Sequence, residues 1–406
     1  MLSDEWLAQH FDHLSPEVAA DLHGTLSRMR SQCPVAHSDA HNGEDGFWVV
    51  TRYDDVLQVA QDWETFSSAH GVSPTQNAMS VPAIPEHLDP PVQRIFKRLI
   101  NAYFTPAMVA PYEPATRALV TQLIDDFVED GSCDFMPAFA RPFPGRAFFE
   151  LALHAPSDRV AELSATATAA GTPTNPNRQA EWEVLNQWIA DFVGQRRTEP
   201  PKGDVVDGVL SADIDGRPIT EQEIIGVILL LILGGLDTTA GALGQIIIRF
   251  AHQPEIPARL RAQPELIPAA VEELLRLEPP FIAIGRTAMH DAEIGGRAIA
   301  QGDKVLVYWA SANRDEDEFA AAETFDPERR VNRHLAFGAG PHRCAGSNVA
   351  RLNLRVALEE IVARLDHIRL QDGAEPIRFH SVLNRAPLSV PITFTAGPRV
   401  TGTTGA

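Results

Sequence analysis

The sequence predicts a mainly α-helical protein with a small β-rich region, and three observations support this class. Residues 224–236 form a 13-residue apolar run, which is longer than a typical strand. Residues 346–365 place Val, Leu and Ile three and four positions apart, which is the spacing of one helix face. Between 281 and 309, short apolar–polar alternations separated by glycine turns are typical of β-strands.

The composition is that of a soluble globular enzyme. The 406 residues are 44% hydrophobic and 22% charged. A net charge of −20 argues against binding to nucleic acid or to an anionic membrane surface. The 13-residue run is too short to span a bilayer, and the N-terminus lacks the features of a signal peptide. Three cysteines far apart in sequence suit a reducing compartment, so we expect a cytoplasmic protein with no membrane and no nucleic-acid partner.

In the first half of the chain, helices alternate with irregular segments. Residues 1–45 are irregular to helical, 47–51 predict a strand, 53–60 a helix and 92–103 another helix. The stretch 67–91 contains five prolines and no periodicity, so we expect a long loop of the kind that is often functional.

From 108 to 194 the pattern is mostly helical, with interruptions near Gly131 and at 142–145. Residues 165–178 are rich in Ala, Thr, Gly, Pro and Asn, which predicts a mobile connection. Thr220 and Glu223 have the spacing of a capping box that opens the long apolar helix. The remaining predicted elements are helices up to residue 276, strands within 281–309, the helix of 346–365, and strands at 367–370 and 388–394. We find no internal repeat and no linker, so we expect one domain over 1–406 with a flexible tail from about 398.

A cysteine stands where a glycine-rich segment meets the last long helix. At a helix N-terminus, unpaired N–H groups and the helix dipole favour the thiolate form of Cys344, which can bind a metal. Glycines in 338–346 would let the loop turn tightly and approach a flat partner, with Phe337 packed near the sulfur. The alternative is a buried free cysteine in a glycine-rich turn.

Two further groups of residues suggest a polar site and an ion pair. Asp237 and Thr238 follow two glycines inside an otherwise apolar helix, where polar side chains carry a desolvation cost. The alternative is a kinked helix in which Thr238 bonds back to a backbone carbonyl. Glu273 and Arg276 share a helix face at i and i+3 and can pair, as on many surface helices.

The local charge reverses sign near the cysteine. Residues 326–355 contain six arginines and two acids, in a chain of net charge −20. These arginines could form a docking patch for an acidic electron carrier, or they could be ordinary surface residues.

The pattern Phe337-x-x-Gly340-x-x-x-Cys344-x-Gly346 resembles the heme-ligand loop of the cytochrome P-450 superfamily. Further segments resemble the family in the same order: 48–55, Asp89-Pro-Pro, Asp237-Thr238 and Glu273-x-x-Arg276. The resemblance implies the family's triangular-prism fold and a heme b group (iron protoporphyrin IX) whose iron binds Cys344. It also implies that Phe337, Gly338 and Gly346 lie against the heme.

The resemblance also implies which residues meet the heme propionates. Arg286 and His342 match frequent propionate partners. Gln93 and Lys97 stand where many bacterial members carry His and Arg. A lysine neutralises a carboxylate but lacks the bidentate fork of arginine. Arg329, in a Pro-x-Arg segment, would be the third member of the Glu273–Arg276 group.

The function implied is monooxygenation with dioxygen as co-substrate. Asp237 and Thr238 would supply the protons that dioxygen activation consumes, and the product would be a hydroxylated or O-dealkylated hydrophobic small molecule. Electrons would come from a separate ferredoxin with its reductase, because the chain has no flavin or iron–sulfur segment. A peroxide-using or rearrangement enzyme and a non-catalytic heme sensor are the alternatives, and the Asp237–Thr238 pair argues against both. The predicted pocket walls are 79–85, 165–178, 228–235, 281–284 and 382–383.

Overall fold

The computed structural model describes residues 2–40, 46–74, 79, 81–172, 175–375, 377–379 and 383–401. About 52% of the residues are helical, and the strands form small sheets, so the predicted class is confirmed. The helices are α1 Asp4–His10, α2 Pro16–Ala20, α3 Leu22–Gln32, α4 Tyr53–Gln61, α5 Val92–Asn101, α6 Pro106–Val109, α7 Glu113–Asp125, α8 Pro142–Ala147, α9 Val160–Gly171, α10 Arg178–Arg196, α11 Val205–Leu210, α12 Glu221–Leu236, α13 Thr238–His252, α14 Glu255–Ala262, α15 Ile267–Leu277, α16 Trp309–Ala312 and α17 Ser347–Arg364. The strands are β1 Val35–Ser38, β2 Phe47–Val50, β3 Phe66–Ser67, β4 Ser132–Asp134, β5 Ala283–Ala288, β6 Ala292–Ile294, β7 Arg297–Ile299, β8 Lys304–Tyr308, β9 Asp366–Leu370 and β10 Pro391–Thr395.

The main sheet joins distant parts of the chain. Its strand order is β1-β2-β8-β5-β3, with β2 parallel to β8 and the other neighbours antiparallel. Every residue of β5 is buried, so the sheet holds Arg286 inside the protein. A second sheet has the order β4-β10-β9, and β6 and β7 form a hairpin.

The long apolar helix begins as predicted and then breaks. Thr220 and Glu223 form the capping box at the start of α12. The helix ends at Leu236, and α13 begins at Thr238, so Asp237 lies at the junction. Together, residues 221–252 are long and apolar enough to cross a membrane by length and composition. The 13-residue run alone was too short for that. Since 56% of the most apolar window is buried inside the protein, the stretch is a core helix.

Two predictions between 142 and 178 are wrong. Residues 142–145 do not interrupt the helical pattern but begin α8, because proline is tolerated in the first turn of a helix. The predicted mobile connection is helical up to Gly171, since its alanines favour a helix and Leu163, Ala167 and Ala170 pack into the core. Residues 173–174 of this segment lie outside the described part of the chain.

A buried ion-pair cluster joins α15 to the segment before the cysteine loop, which comprises residues 337–346. Both Glu273 and Arg276 are 0% exposed, and the Glu273 carboxylate accepts from Arg276 at 2.8 and 2.7 Å. Arg329 Nε also donates to both oxygens, at 3.2 and 3.3 Å. The side chain of Asn332 and the backbone N–H of Asp326 complete the cluster. The pairing is therefore a core feature, not a surface one, and Arg329 is its third member.

Candidate active site

The backbone of the cysteine loop is held by a tight internal bond and by glycines. The Cys344 N–H donates to the Phe337 carbonyl at 2.8 Å. Gly338 and Gly340 have φ of +68° and +66°, in the left-handed region that favours glycine. A Cβ on Gly340 would lie 2.2 Å from the Ala60 carbonyl oxygen, so only glycine fits against α4 there.

The Cys344 residue is exposed, although nearby protein atoms desolvate its thiol. Burial raises its pKa above the ordinary value, and the opposing effects of Lys97, the Gly346 N–H and Arg343 do not outweigh it. The Gly346 N–H at the start of α17 does favour the thiolate, as expected, but desolvation has the larger effect, so the polypeptide by itself does not lower the pKa of Cys344. A sulfur in this position ionises when it binds a metal cation.

The Phe337 ring packs against an arginine of α17. The half-buried ring contacts the Arg351 guanidinium, which is 4.5 Å from the ring centroid, and Arg351 is fixed by Glu272 at 2.7 Å. The His334 ring lies 5.8 Å from the same ring. The aromatic side chain is thus held in place from outside the loop.

Arg286 and His342 both lie beside Glu86, a residue that the sequence did not single out. Glu86, in the loop before α5, lies 3.7 Å from Arg286 Nη1 and 3.5 Å from His342 Nδ1. Burial lowers the pKa of Arg286, whose other contact is the Gly285 carbonyl at 2.8 Å. Both ring nitrogens of His342 are buried and make no hydrogen bond within the described part of the chain.

Gln93 and Lys97, the two departures from the common pattern, brace the cysteine loop. Gln93 is buried and donates to the Pro341 carbonyl at 2.8 Å. Lys97 Nζ donates to the Arg343 carbonyl. Burial lowers the pKa of Lys97, although the nearby Cys344 and Glu86 oppose that shift. Both side chains reach the loop from one face of α5.

The Asp237–Thr238 pair lies at the junction of α12 and α13. The Thr238 hydroxyl donates to the Gly234 carbonyl at 2.7 Å, which is the back-bonded arrangement considered as an alternative. The Asp237 carboxylate accepts from Ser164 at 2.9 Å and from Thr168 at 2.8 Å, both on α9. Neither hydroxyl was singled out from the sequence. Thr168 lies in the segment 165–178 that was predicted to be mobile and Ser164 lies directly before it, although their i and i+4 spacing was available as a signal.

The predicted pocket walls are largely apolar but do not all pack together. Met79, Ile84 and Ile228 belong to one hydrophobic cluster, whereas Phe281 and Ile284 belong to another. Leu383 contacts a third cluster. Residues 80 and 382 of the predicted walls lie outside the described part of the chain.

The surroundings of Cys344 fit a flat prosthetic group that carries a metal and acidic side chains. Gly234 is exposed near the C-terminal end of α12, and a Cβ built there meets no described atom within 4 Å. A Cβ on Gly346 would meet only the Cys344 Sγ, at 4.0 Å. The glycines leave room for a flat partner, Cys344 supplies a metal ligand, and Arg286 with His342 supplies groups that pair with carboxylates.

Comparisons with known proteins agree with this fit. A family model described as cytochrome P450 matches residues 261–392. A probable cytochrome P450 127A1 of Sinorhizobium fredii is 34% identical over 380 residues, which cover 91% of each chain. The chain belongs to the cytochrome P450 family. A linalool 8-monooxygenase of Pseudomonas putida is 32% identical, over 86% of this P450 and 90% of its own length.

Solved structures of cytochromes P450 have the same fold. A mutant of P450 EryK in complex with erythromycin B matches with a TM-score of 0.84 and 30% identity, over 94% of this chain and 97% of its own. P450 PksS of Bacillus subtilis matches with a TM-score of 0.86 and 26% identity, over 95% and 100%. Several relatives are named as monooxygenases or hydroxylases, and this P450 is a heme-thiolate monooxygenase.

Most arginines near the cysteine of this P450 are engaged within the protein. The ion pairs are Arg329–Glu273, Arg333–Glu318, Arg351–Glu272 and Arg355–Glu113. Arg330 and Arg343 are exposed and form no ion pair with any described residue. Arg343 lines a groove at the cysteine loop, and Arg94 and Arg98 of α5 line a second groove that shares Gly340 with the first.

Proposed function

We propose that this cytochrome P450 binds heme b (iron protoporphyrin IX) through Cys344 and hydroxylates or O-dealkylates a hydrophobic small molecule in the cytoplasm. The observation that carries the proposal is the Cys344 loop, where the cysteine is exposed and its sulfur lies beside Gly346. When bound, the heme supplies reductive activation of dioxygen, which electron donation from a thiolate ligand assists. Arg286 and His342 pair with the propionates, while Gln93 and Lys97 keep the loop backbone in position.

The reduced, carbon-monoxide-treated protein tests this proposal. We expect the strongly red-shifted Soret band of thiolate ligation. A Soret band without that shift would contradict ligation by Cys344.

Thr238 and Asp237 are the residues proposed to deliver protons. Because the Thr238 proton points to the Gly234 carbonyl, the free lone pairs of the hydroxyl can accept a hydrogen bond from a water, and that water would donate a proton to the reacting oxygen. The Asp237 carboxylate accepts two hydrogen bonds from hydroxyl groups of α9. Ser164 and Thr168 therefore hold it at the helix junction. Proton delivery by a positioned group accelerates a step by roughly 10²–10⁴-fold.

A Thr238→Ala variant should uncouple oxygen consumption from product formation. We expect product per electron pair to fall on the order of tenfold, with the consumed oxygen leaving as hydrogen peroxide. Thr239→Ala is the matched control, since Thr239 is the adjacent buried residue of α13. The measurement is product and peroxide per NADH oxidised, and equal coupling in both variants would contradict the assignment.

The apolar walls support a hydrophobic substrate, and relatives named for linalool and for steroids act on small apolar molecules. A library screen for compounds that change the heme spin state would identify the substrate class.

The exposed cations at the cysteine loop support a separate acidic ferredoxin as electron donor, reduced by its own reductase. We expect Arg98→Glu combined with Arg343→Glu to slow reduction by ferredoxin at low salt on the order of tenfold, because both charges border the grooves at the loop. The control is Arg297→Glu on the β6–β7 hairpin, where the side chain is exposed. An effect of equal size in the control, or one that high salt does not diminish, would contradict docking at this face.

A further inference from the structure

Glu86 brings an acidic group to the place where the proposed function requires cations. Its carboxylate lies within 3.7 Å of Arg286 and 3.5 Å of His342, and its side chain is 20% exposed. One carboxylate oxygen, Oε1, is buried without a hydrogen-bond partner in the described part of the chain. A buried acceptor of this kind depends on nearby positive charge for its stability.

The residues next to Glu86 in the chain do not add a further positive charge. His87 accepts the Ala83 N–H through Nδ1, at 3.1 Å. Asp89 accepts from Ser67 and Ser68 and is itself negative. Burial raises the pKa of Glu86, but the facing His342 and the charges of Arg286 and Lys97 hold it below its ordinary value overall. The carboxylate is therefore ionised at neutral pH.

A heme brings two propionates to the same cations. Glu86 makes three carboxylates in one cluster, where Arg286 and Lys97 supply the permanent positive charges. Two carboxylates that share one cation repel each other, so each loses part of the pairing energy that it would have alone. Negative charge near a heme also favours its oxidised form, because reduction adds one electron to the site.

We infer that Glu86 is a third carboxylate of the propionate site, which competes with the heme for Arg286 and His342, weakens heme retention and lowers the heme reduction potential. This inference rests on the proposed binding of heme at Cys344. Glu86 acts on the heme only through Arg286 and His342, so it is a positioning residue. Glu86 precedes Arg286 by 200 residues in the chain, and the fold brings the two side chains together.

The test compares two purified, heme-loaded variants that lose one negative charge each. Glu86→Gln keeps the shape and removes the competing charge, whereas Glu293→Gln removes an exposed charge on β6. We expect Glu86→Gln to slow heme transfer to excess apomyoglobin on the order of tenfold and to shift the potential, measured by spectroelectrochemistry, to a more positive value. Glu293→Gln should match the wild type in both. Glu86→Asp keeps the charge and should stay closer to the wild type than the glutamine variant.

Two results would overturn the inference. One is a Glu86→Gln variant that loses heme at the wild-type rate or faster. The other is a potential that does not differ from that of Glu293→Gln. Failure of the proposed function is visible separately, because the wild type would then lack the thiolate-type Soret band with carbon monoxide.

Discussion

A Cys344→Ala variant abolishes the thiolate-type Soret band and lowers monooxygenase turnover on the order of a thousandfold, about 4 kcal/mol in activation free energy. The reason is local. The Cys344 Sγ is the sulfur that faces the space beside Gly346, and the loop backbone holds it there through the bond to Phe337. Alanine keeps that backbone bond and removes the metal ligand, so the effect falls on ligation and not on the loop.

The control for this prediction is Cys133→Ala. Cys133 lies on β4, where burial raises its pKa to about 12, so it stays a neutral thiol. The control should keep the carbon-monoxide spectrum and the turnover of the wild type. A Cys344→Ala variant with an unchanged spectrum would refute the assignment of Cys344 as ligand.

The sequence predicted those parts of the molecule that local residues determine. The apolar period of α17, the capping box of α12 and the glycines of the cysteine loop act over a few residues, and the structure has all three. Glu273 and Arg276 also lie one helical turn apart, so their pairing was predictable. Their complete burial was not, since it depends on the backbone around residues 313–326 that covers them.

The rest depends on contacts between distant segments. Ser164 and Thr168 reach Asp237 only because α9 packs against α12, and no local pattern indicates that packing. Glu86 meets Arg286 because β5 is buried in a sheet whose strand order cannot be derived from strand patterns alone. The pKa of Cys344 is raised for the same reason. Desolvation of the thiol comes from the whole fold, whereas only the nearby helix was predictable from the sequence.

A Glu273→Ala variant should lower the free energy of unfolding by about 3–5 kcal/mol, the cost of removing one partner of a buried ion pair. Without the carboxylate, Arg276 stays 0% exposed with its charge uncompensated, and Arg329 loses the same partner. Three backbone carbonyls, those of Asn313, Ala322 and Thr324, would remain its acceptors. These carbonyls accept hydrogen bonds from Arg276 but do not neutralise its charge. The variant also loses the bonds between Glu273 and residues 326–332, which loosens the segment that leads to the cysteine loop.

Urea unfolding followed by far-UV circular dichroism and by the Soret band measures this effect. Glu328→Ala is the control, because its carboxylate is 67% exposed in an ion pair with Arg259 and should contribute less than about 1 kcal/mol. Glu273→Gln keeps the shape and one acceptor oxygen and should fall between the two, which makes the test usable if the alanine variant does not accumulate. If Glu273→Ala were no less stable than Glu328→Ala, the buried cluster would not stabilise the fold. Because the cluster joins α15 to residues 326–332, we expect the Soret change to precede the loss of helix in Glu273→Ala, which would separate loosening of the loop from general unfolding.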